Sequence, residues 1–496
     1  MDAFTCTTRP EPATVPLPRP RPRRPPPRLW GLAAASAAVL GAGLLADGLG
    51  TPGAVVLAVF TAAVGAWVLT PVDDTWIALT AVCVLAVTGV VAPADLFATL
   101  GADLVWLLIA AFVLAAGLTR SGLVGRFAVA LLGRARTVRQ LAHLVVVALV
   151  VSSLAVPATS GRAALALPVF EALARALGGR PRVVRGMAVL FPTVVLLSAV
   201  STLIGAGAHL IADQLLRDAA GEGIGFLRWL LLGLPLAVVS CHLAAEVVLL
   251  LFTSRADRRD RLDWSRDALV VEPPPPSGPW TGPEKHAAAT TAAVLVLWCT
   301  EPLHGVPPAL VGLLGALVVT APPHGERRVT PGAALKTVPW SLLLFTAATA
   351  ALGDALVSTG AAAWLADTGL SPLEHASPEP LLIAVVVVST AAHLAVQSRS
   401  ARSSVLVPVV IPLAVAAGVN PALAVFASTA AAGFCHTLTS SAKPVALFAE
   451  VEGVPTYSAR DLLRLSAVLA PLHIALVSAF ALYAWPLLGL PITTTH

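Results

Sequence analysis

Two short stretches carry the side chains with the most chemistry to offer. Residues 155–168 read "AVPATSGRAALALP" and residues 395–408 read "AVQSRSARSSVLVP". At an offset of 240 they share Ala-Val, Ser-x-Arg and a closing Pro, so Arg162 matches Arg402 and Pro168 matches Pro408. Hydroxyls accompany the cations: Thr159 and Ser160 in the first, Ser398 and Ser400 in the second, which also holds Arg399. A guanidinium offers forked donors that suit a carboxylate or sulfate. Ionisable residues within apolar sequence are costly and usually functional. The pattern points to recognition of a small anion. The competing account has these arginines snorkelling to an interface or pairing with acidic residues for structure alone.

A second polar interruption follows each stretch. "LSAVSTLIGAGAHLIADQLL" (197–216) contains Ser201, Thr202, three small residues and His209. "GFCHTLTSSAKPVALFAE" (433–450) contains His436, Thr439, Ser440 and Lys443, followed by the helix-breaking Pro444. Lys443 is another cation in apolar surroundings and a candidate for substrate contact. His209 and His436 are candidate proton carriers, against the plainer account of hydrogen-bonded bundle histidines.

The elements that must position these residues are membrane helices. The 496-residue chain is 57% hydrophobic and 12% charged, with mean hydropathy +0.84. A soluble domain carries about 25% charge. Apolar runs of the roughly 20 residues needed to span a bilayer recur, as in Leu29–Ala46, Ala54–Thr70, Leu230–Phe252 and Leu462–Leu482. The fold expected is an all-α polytopic membrane protein of about eleven transmembrane helices plus two re-entrant hairpins in an inverted repeat. The quoted stretches are too interrupted for spanning helices, and such backbone survives only inside protein or beside a watery cavity. They are read as hairpin tips, near 141–177 and 379–416, where free N–H groups at helix starts favour an anion.

Further matches support the repeat. "AWVLTP" (66–71) pairs with "LWCTEP" (297–302), and the segment from Val105 pairs with that from Pro339. The expected organisation is a disordered Pro/Arg tail over 1–28, a first half over 29–253, a cytoplasmic linker over 254–285 and a second half over 286–496. The Arg and Lys distribution places the amino terminus in the cytoplasm. Asp73-Asp74 is an acidic exception on a connection assigned to that side. The five scattered cysteines read as small core residues, and the basic tail as a topology signal rather than a nucleic-acid arm.

These features resemble the divalent anion:sodium symporter family, the solute carrier family 13 type permeases of the ion transporter superfamily. Its hairpin tips carry Ser-Asn-Thr, which falls on Ala158-Thr159-Ser160 and Ser398-Arg399-Ser400. Its "GTLIGTPPN" is similar to "STLIGAGAH" at 201–209, and "WLLIAAFVLAAGLTRSGLVGRFA" (106–128) and "GVNPALAVFAS" (418–428) match further blocks. The resemblance implies a plasma-membrane secondary transporter, a homodimer, with Na+ as coupling ion. Both tip asparagines are replaced here, by Thr159 and Arg399. Fixed arginine charge is therefore expected to replace part of the sodium charge, which opens proton coupling or exchange.

The leading expectation is alternating-access transport of a di- or tricarboxylate or sulfate. Partners would be that anion and the lipid bilayer, and no nucleic acid. An efflux or cation/proton antiporter of the same superfamily is weighed against it, as are a transport-inactive sensor and a membrane enzyme. The enzyme reading lacks a carboxylate cluster or metal constellation in the apolar segments.

Overall fold

The computed structural model describes residues 27–45, 48–262, 271, 278–321, 330–370 and 377–493; for 27–33, 366–370 and 440 it describes the backbone alone. The expected tail over 1–28 lies outside the described residues except for its last two. The expected linker over 254–285 is described at 254–262, 271 and 278–285. Among the described residues the chain forms helices and no β-sheet.

The same succession of elements occurs twice. Helix Asp103–Ser121 leads through the short helix Leu123–Leu132 to a hairpin, Val138–Ala155 and Thr159–Ala176. A broken helix, Pro181–Leu197 and Gly207–Ala220, and the long helix Phe226–Phe252 follow. In the second half Trp340–Ser358 leads through Ala361–Leu370 to a hairpin, Pro378–Ala391 and Arg399–Ala416. Then come the broken pair Pro421–Ala431 and Lys443–Ala449, and the long helix Ala459–Ala479. Eight described helices are long and apolar enough to cross a membrane. Against the expected eleven, length alone counts the hairpin arms Val138–Ala155 and Arg399–Ala416 as spans and leaves out the short Asp74–Val87 and Pro308–Thr320.

Helix Phe226–Phe252 is a ruler for the bundle, since its 27 residues extend about 40 Å at 1.5 Å each. Near its start, Arg228 donates to the carbonyl of Gly489, and the same carboxyl-terminal strand of chain meets Asn420, whose N–H donates to Ile492 at 2.8 Å. Asn420 closes the base of the second hairpin. Past its other end, Leu262 donates to Arg136 at 2.9 Å and Asp260 pairs with Arg180 at 3.0 Å. Arg136 and Arg180 flank the base of the first hairpin. The two hairpins therefore have their bases at opposite ends of the bundle and point towards each other.

The breaks depend on close backbone approach. A Cβ on Gly205 would lie 2.1 Å from the Ala199 carbonyl oxygen, and one on Gly233 would lie 2.0 Å from that of Val200. Glycine at a helix interior normally costs up to about 1 kcal/mol relative to alanine, yet here a methyl group has no room. Gly205→Ala and Gly233→Ala are expected to destabilise by about 1–3 kcal/mol through overpacking. Gly186→Ala, whose Cβ would meet ordinary contacts at 3.6 Å, should be neutral or stabilising. Thermal unfolding in detergent distinguishes the three.

Candidate functional site

Both hairpin tips and both helix breaks wall one cavity of about 820 Å³. The first tip contributes Val156 to Gly161 and the second Gln397 to Ser400. The breaks contribute Ala206 to Ala208 and Ser441 to Pro444. Four helices start on this wall, at Thr159, Gly207, Arg399 and Lys443, so their unbonded N–H groups and positive dipole ends converge there. Ala158 at the first tip has φ of 60°, and is the non-glycine residue with positive φ among those described. Strained backbone of this kind concentrates at functional sites.

The expected site residues divide sharply. Thr159, Ser160, Ser398, Arg399, Ser400 and Lys443 all line the cavity. The Arg399 guanidinium lies against Gly433, where a Cβ would come within 3.3 Å of its Nη2, and its buried Nε and Nη1 have no partner among the described residues. Ser400 packs its hydroxyl against Gly207, 3.2 Å from where a Cβ would stand. Ser398 caps its own helix by accepting from Ala401 at 3.3 Å. Lys443 is exposed.

Arg162 and Arg402 do not line this cavity, contrary to the expectation that they coat a shared anion site. They are 1% and 0% exposed. Arg162 donates to the Ser198 hydroxyl at 2.8 Å and the Val195 carbonyl at 2.9 Å, and Arg402 donates to the Phe434 carbonyl at 3.2 Å. Each sits in the first turn of its hairpin's second arm and reaches sideways, because the cavity-facing positions lie one turn earlier. Each clamps the carboxyl-terminal end of the half-helix beside it, where a cation is favoured by the helix dipole.

Ser201 and Thr202 are buried and bonded to the first hairpin. Ser201 shares a hydrogen bond with Ser153 at 2.7 Å, and Thr202 donates to the Ser153 carbonyl at 3.3 Å. His209 donates to the Thr202 carbonyl at 3.0 Å and stacks on Trp229. His436 is buried against Phe434. Thr439 is exposed but off the cavity wall, and the side chain of Ser440 lies outside the described residues. Sequence reasoning did not select Asp73, Asp74, Arg120, Thr337, Ser341 or Gln397, which also line the cavity. The signal for the first two was present, in an acidic pair on a connection where the charge rule expects basic residues.

The carbonyl oxygens freed at the breaks are held by N–H donors. Val195 is bonded to Arg162, Thr202 to His209 and Phe434 to Arg402, and Val200 accepts from the Trp229 indole at 3.0 Å. Each of these four carbonyls accepts a hydrogen bond from a side-chain N–H. Two of the four donors are fixed guanidinium groups, Arg162 at the first break and Arg402 at the second. Arg162→Ala and Arg402→Ala should each lower thermal stability in detergent, by about 1–3 kcal/mol per orphaned buried acceptor. Lys443→Ala should leave it unchanged.

The chain has relatives that place it. The family model described as the sodium:sulfate symporter transmembrane region matches residues 27–490. A membrane protein of Cupriavidus necator is 25% identical over 393 residues, 77% of this chain and 74% of that protein. The citrate/succinate antiporter of Escherichia coli K12 is 24% identical over 412 residues, 78% of each chain. The sodium-dependent dicarboxylate transporter SdcS of Staphylococcus saprophyticus is 24% identical over 264 residues, 51% of this chain and 50% of that protein. Among solved structures, Neisseria gonorrhoeae MtrF aligns with TM-score 0.59 and 14% identity over 93% of this chain and 99% of its own. The Alcanivorax borkumensis YdaH transporter aligns with TM-score 0.51 and 16% identity over 94% and 98%. At such identities these two show likeness of fold. With the family match running through both hairpins and both breaks, the chain belongs to the sodium:sulfate symporter family and is a multi-pass membrane transporter, not an enzyme.

Proposed function

We propose that this protein exchanges small divalent anions, dicarboxylates or sulfate, across the membrane by alternating access and without sodium. The observation that carries the reading is the convergence of four helix starts, Arg399 and Lys443 on one cavity. Oriented N–H groups and two fixed cations favour an anion and repel a cationic substrate, which counts against a cation/proton antiporter. A guanidinium on the cavity wall, that of Arg399, suits a carboxylate or sulfate oxygen. Relatives named for dicarboxylate transport and citrate/succinate antiport agree with this class.

Two opposed hairpins sharing their tips suit alternating access, since either can be the barrier on its own side. With the amino terminus in the cytoplasm, the exposed lining residues Asp73, Arg120 and Thr337 stand on the cytoplasmic side. Residence in the plasma membrane as a homodimer is what the family resemblance implies for this reading. Sodium independence is supported by Arg162 and Arg402, which place permanent charge at the breaks.

The test is counterflow in proteoliposomes loaded with succinate, citrate or sulfate. Labelled anion should enter equally with sodium or choline as the cation. Arg399→Ala and Lys443→Ala should each reduce uptake at least about tenfold, equivalent to about 1.4 kcal/mol. Strict sodium dependence would overturn the coupling reading, and movement of none of the three anions would overturn the substrate class.

A further inference from the structure

The cavity has two unlike walls. The hairpin tips and helix breaks form the polar one, with Thr159, Ser160, Ser398, Arg399, Ser400 and Lys443. The other comes from helices Asp103–Ser121 and Trp340–Ser358. On the first of these, Phe112, Ala115, Ala116 and Thr119 line the cavity at the i, i+3, i+4, i+7 spacing that keeps them on one face. On the second, Ser341, Leu342 and Phe345 line it and share a face in the same way. Polar groups stay at the ends: Thr119 and Arg120 in the last turn of one helix and Ser341 in the first turn of the other, all three exposed. Seven residues back from Thr119, about 10 Å along the helix, the wall has become the Phe112 ring. Phe345 is backed by Trp67, with ring centroids 6.0 Å apart, and Ser341 is held by its shared hydrogen bond with Thr75 at 2.7 Å. The two walls meet at Gly207, where a Cβ would lie 2.8 Å from Leu342 Cδ1 and 3.2 Å from Ser400 Oγ.

At about 820 Å³ the cavity stands in the upper part of the range, about 300–1,000 Å³, of sites that enclose drug-sized ligands. Sulfate or succinate would occupy the polar wall alone and leave the apolar face of Phe112, Leu342 and Phe345 against water. We propose that the preferred substrate is larger than either: a dicarboxylate that carries an aromatic or branched alkyl body. Its carboxylates lie at the tips with Arg399 and Lys443, and its body lies against Phe112, Leu342 and Phe345. The polar wall then fixes orientation, while burial of the body adds affinity that a wholly polar anion cannot gain. Asp73 and Asp74 line the same cavity, and their charge opposes a further carboxylate away from the tips, so the body is uncharged. The inference rests on the reading of this cavity as an anion site and names the substrate class of that site.

The experiment is competition in proteoliposomes that exchange labelled succinate, citrate or sulfate. Unlabelled succinate is compared with unlabelled phenylsuccinate, which has the same two carboxylates and adds a ring. In the unmodified protein phenylsuccinate should reach half-inhibition at about one-tenth the concentration of succinate, and labelled phenylsuccinate should itself enter by counterflow. Phe112→Ala and Leu342→Ala should each shrink that advantage at least about threefold. Both concentrations are read on one preparation, and either variant decides the point should the other be recovered unfolded. Phenylsuccinate that competes no better than succinate, that competes without entering, or that keeps its advantage in the variants overturns this inference and leaves the small-anion reading standing. Entry of phenylsuccinate with none of the three small anions upholds the inference and overturns the small-anion class. A protein that moves none of the four overturns both.

Discussion

The architecture turns on one constraint: a backbone carbonyl released in the apolar interior must find a donor. Water is absent there, and each unsatisfied group costs several kcal/mol. Breaking helices at mid-bundle creates the helix starts that line the cavity, and it also releases carbonyls at the preceding helix ends. Arg162, Trp229, His209 and Arg402 answer those carbonyls one by one. Gly205 and Gly233 allow the chain to approach closely enough for this to occur. The polar site is therefore supported by a shell of donors that never touch it.

The two halves share a plan but not a charge distribution. Both supply a hairpin tip and a half-helix start to the cavity. The second half places Arg399 and Lys443 there, while the first places Thr159 and Gly207 at the corresponding starts. At the tips and breaks the cations thus come from the second half, while the first supplies hydroxyls and backbone N–H groups there and Arg120 from helix Asp103–Ser121. Asp73 and Asp74 bring acidic charge to the same cavity from outside both hairpins.

Behind the second break, Phe434 contacts the rings of His393, His436 and His473. His393 is also engaged with Thr437 at 2.7 Å, which donates on to Ser466 at 3.1 Å. His393 thereby links the second hairpin to the break and to helix Ala459–Ala479.

The membrane class, the doubled plan and the positions of both interruptions were legible in the sequence, because apolar length and helix-breaking residues act locally. Thr159, Ser160, Ser398, Arg399, Ser400 and Lys443 were legible for the same reason: they sit at breaks, and breaks make cavities. The direction in which a side chain leaves its helix was not. Arg162 and Arg402 share the motif with these residues, yet one helical turn carries them to carbonyls contributed from 33 and 32 residues away. Asp74 lines the same cavity as Ser398 from more than 300 positions away, and its local trace was a charge on the unexpected side. Sequence alone determined where the chain must break and which residue types stand there. Tertiary packing decided which of them face the cavity, since that depends on what each neighbouring helix lacks.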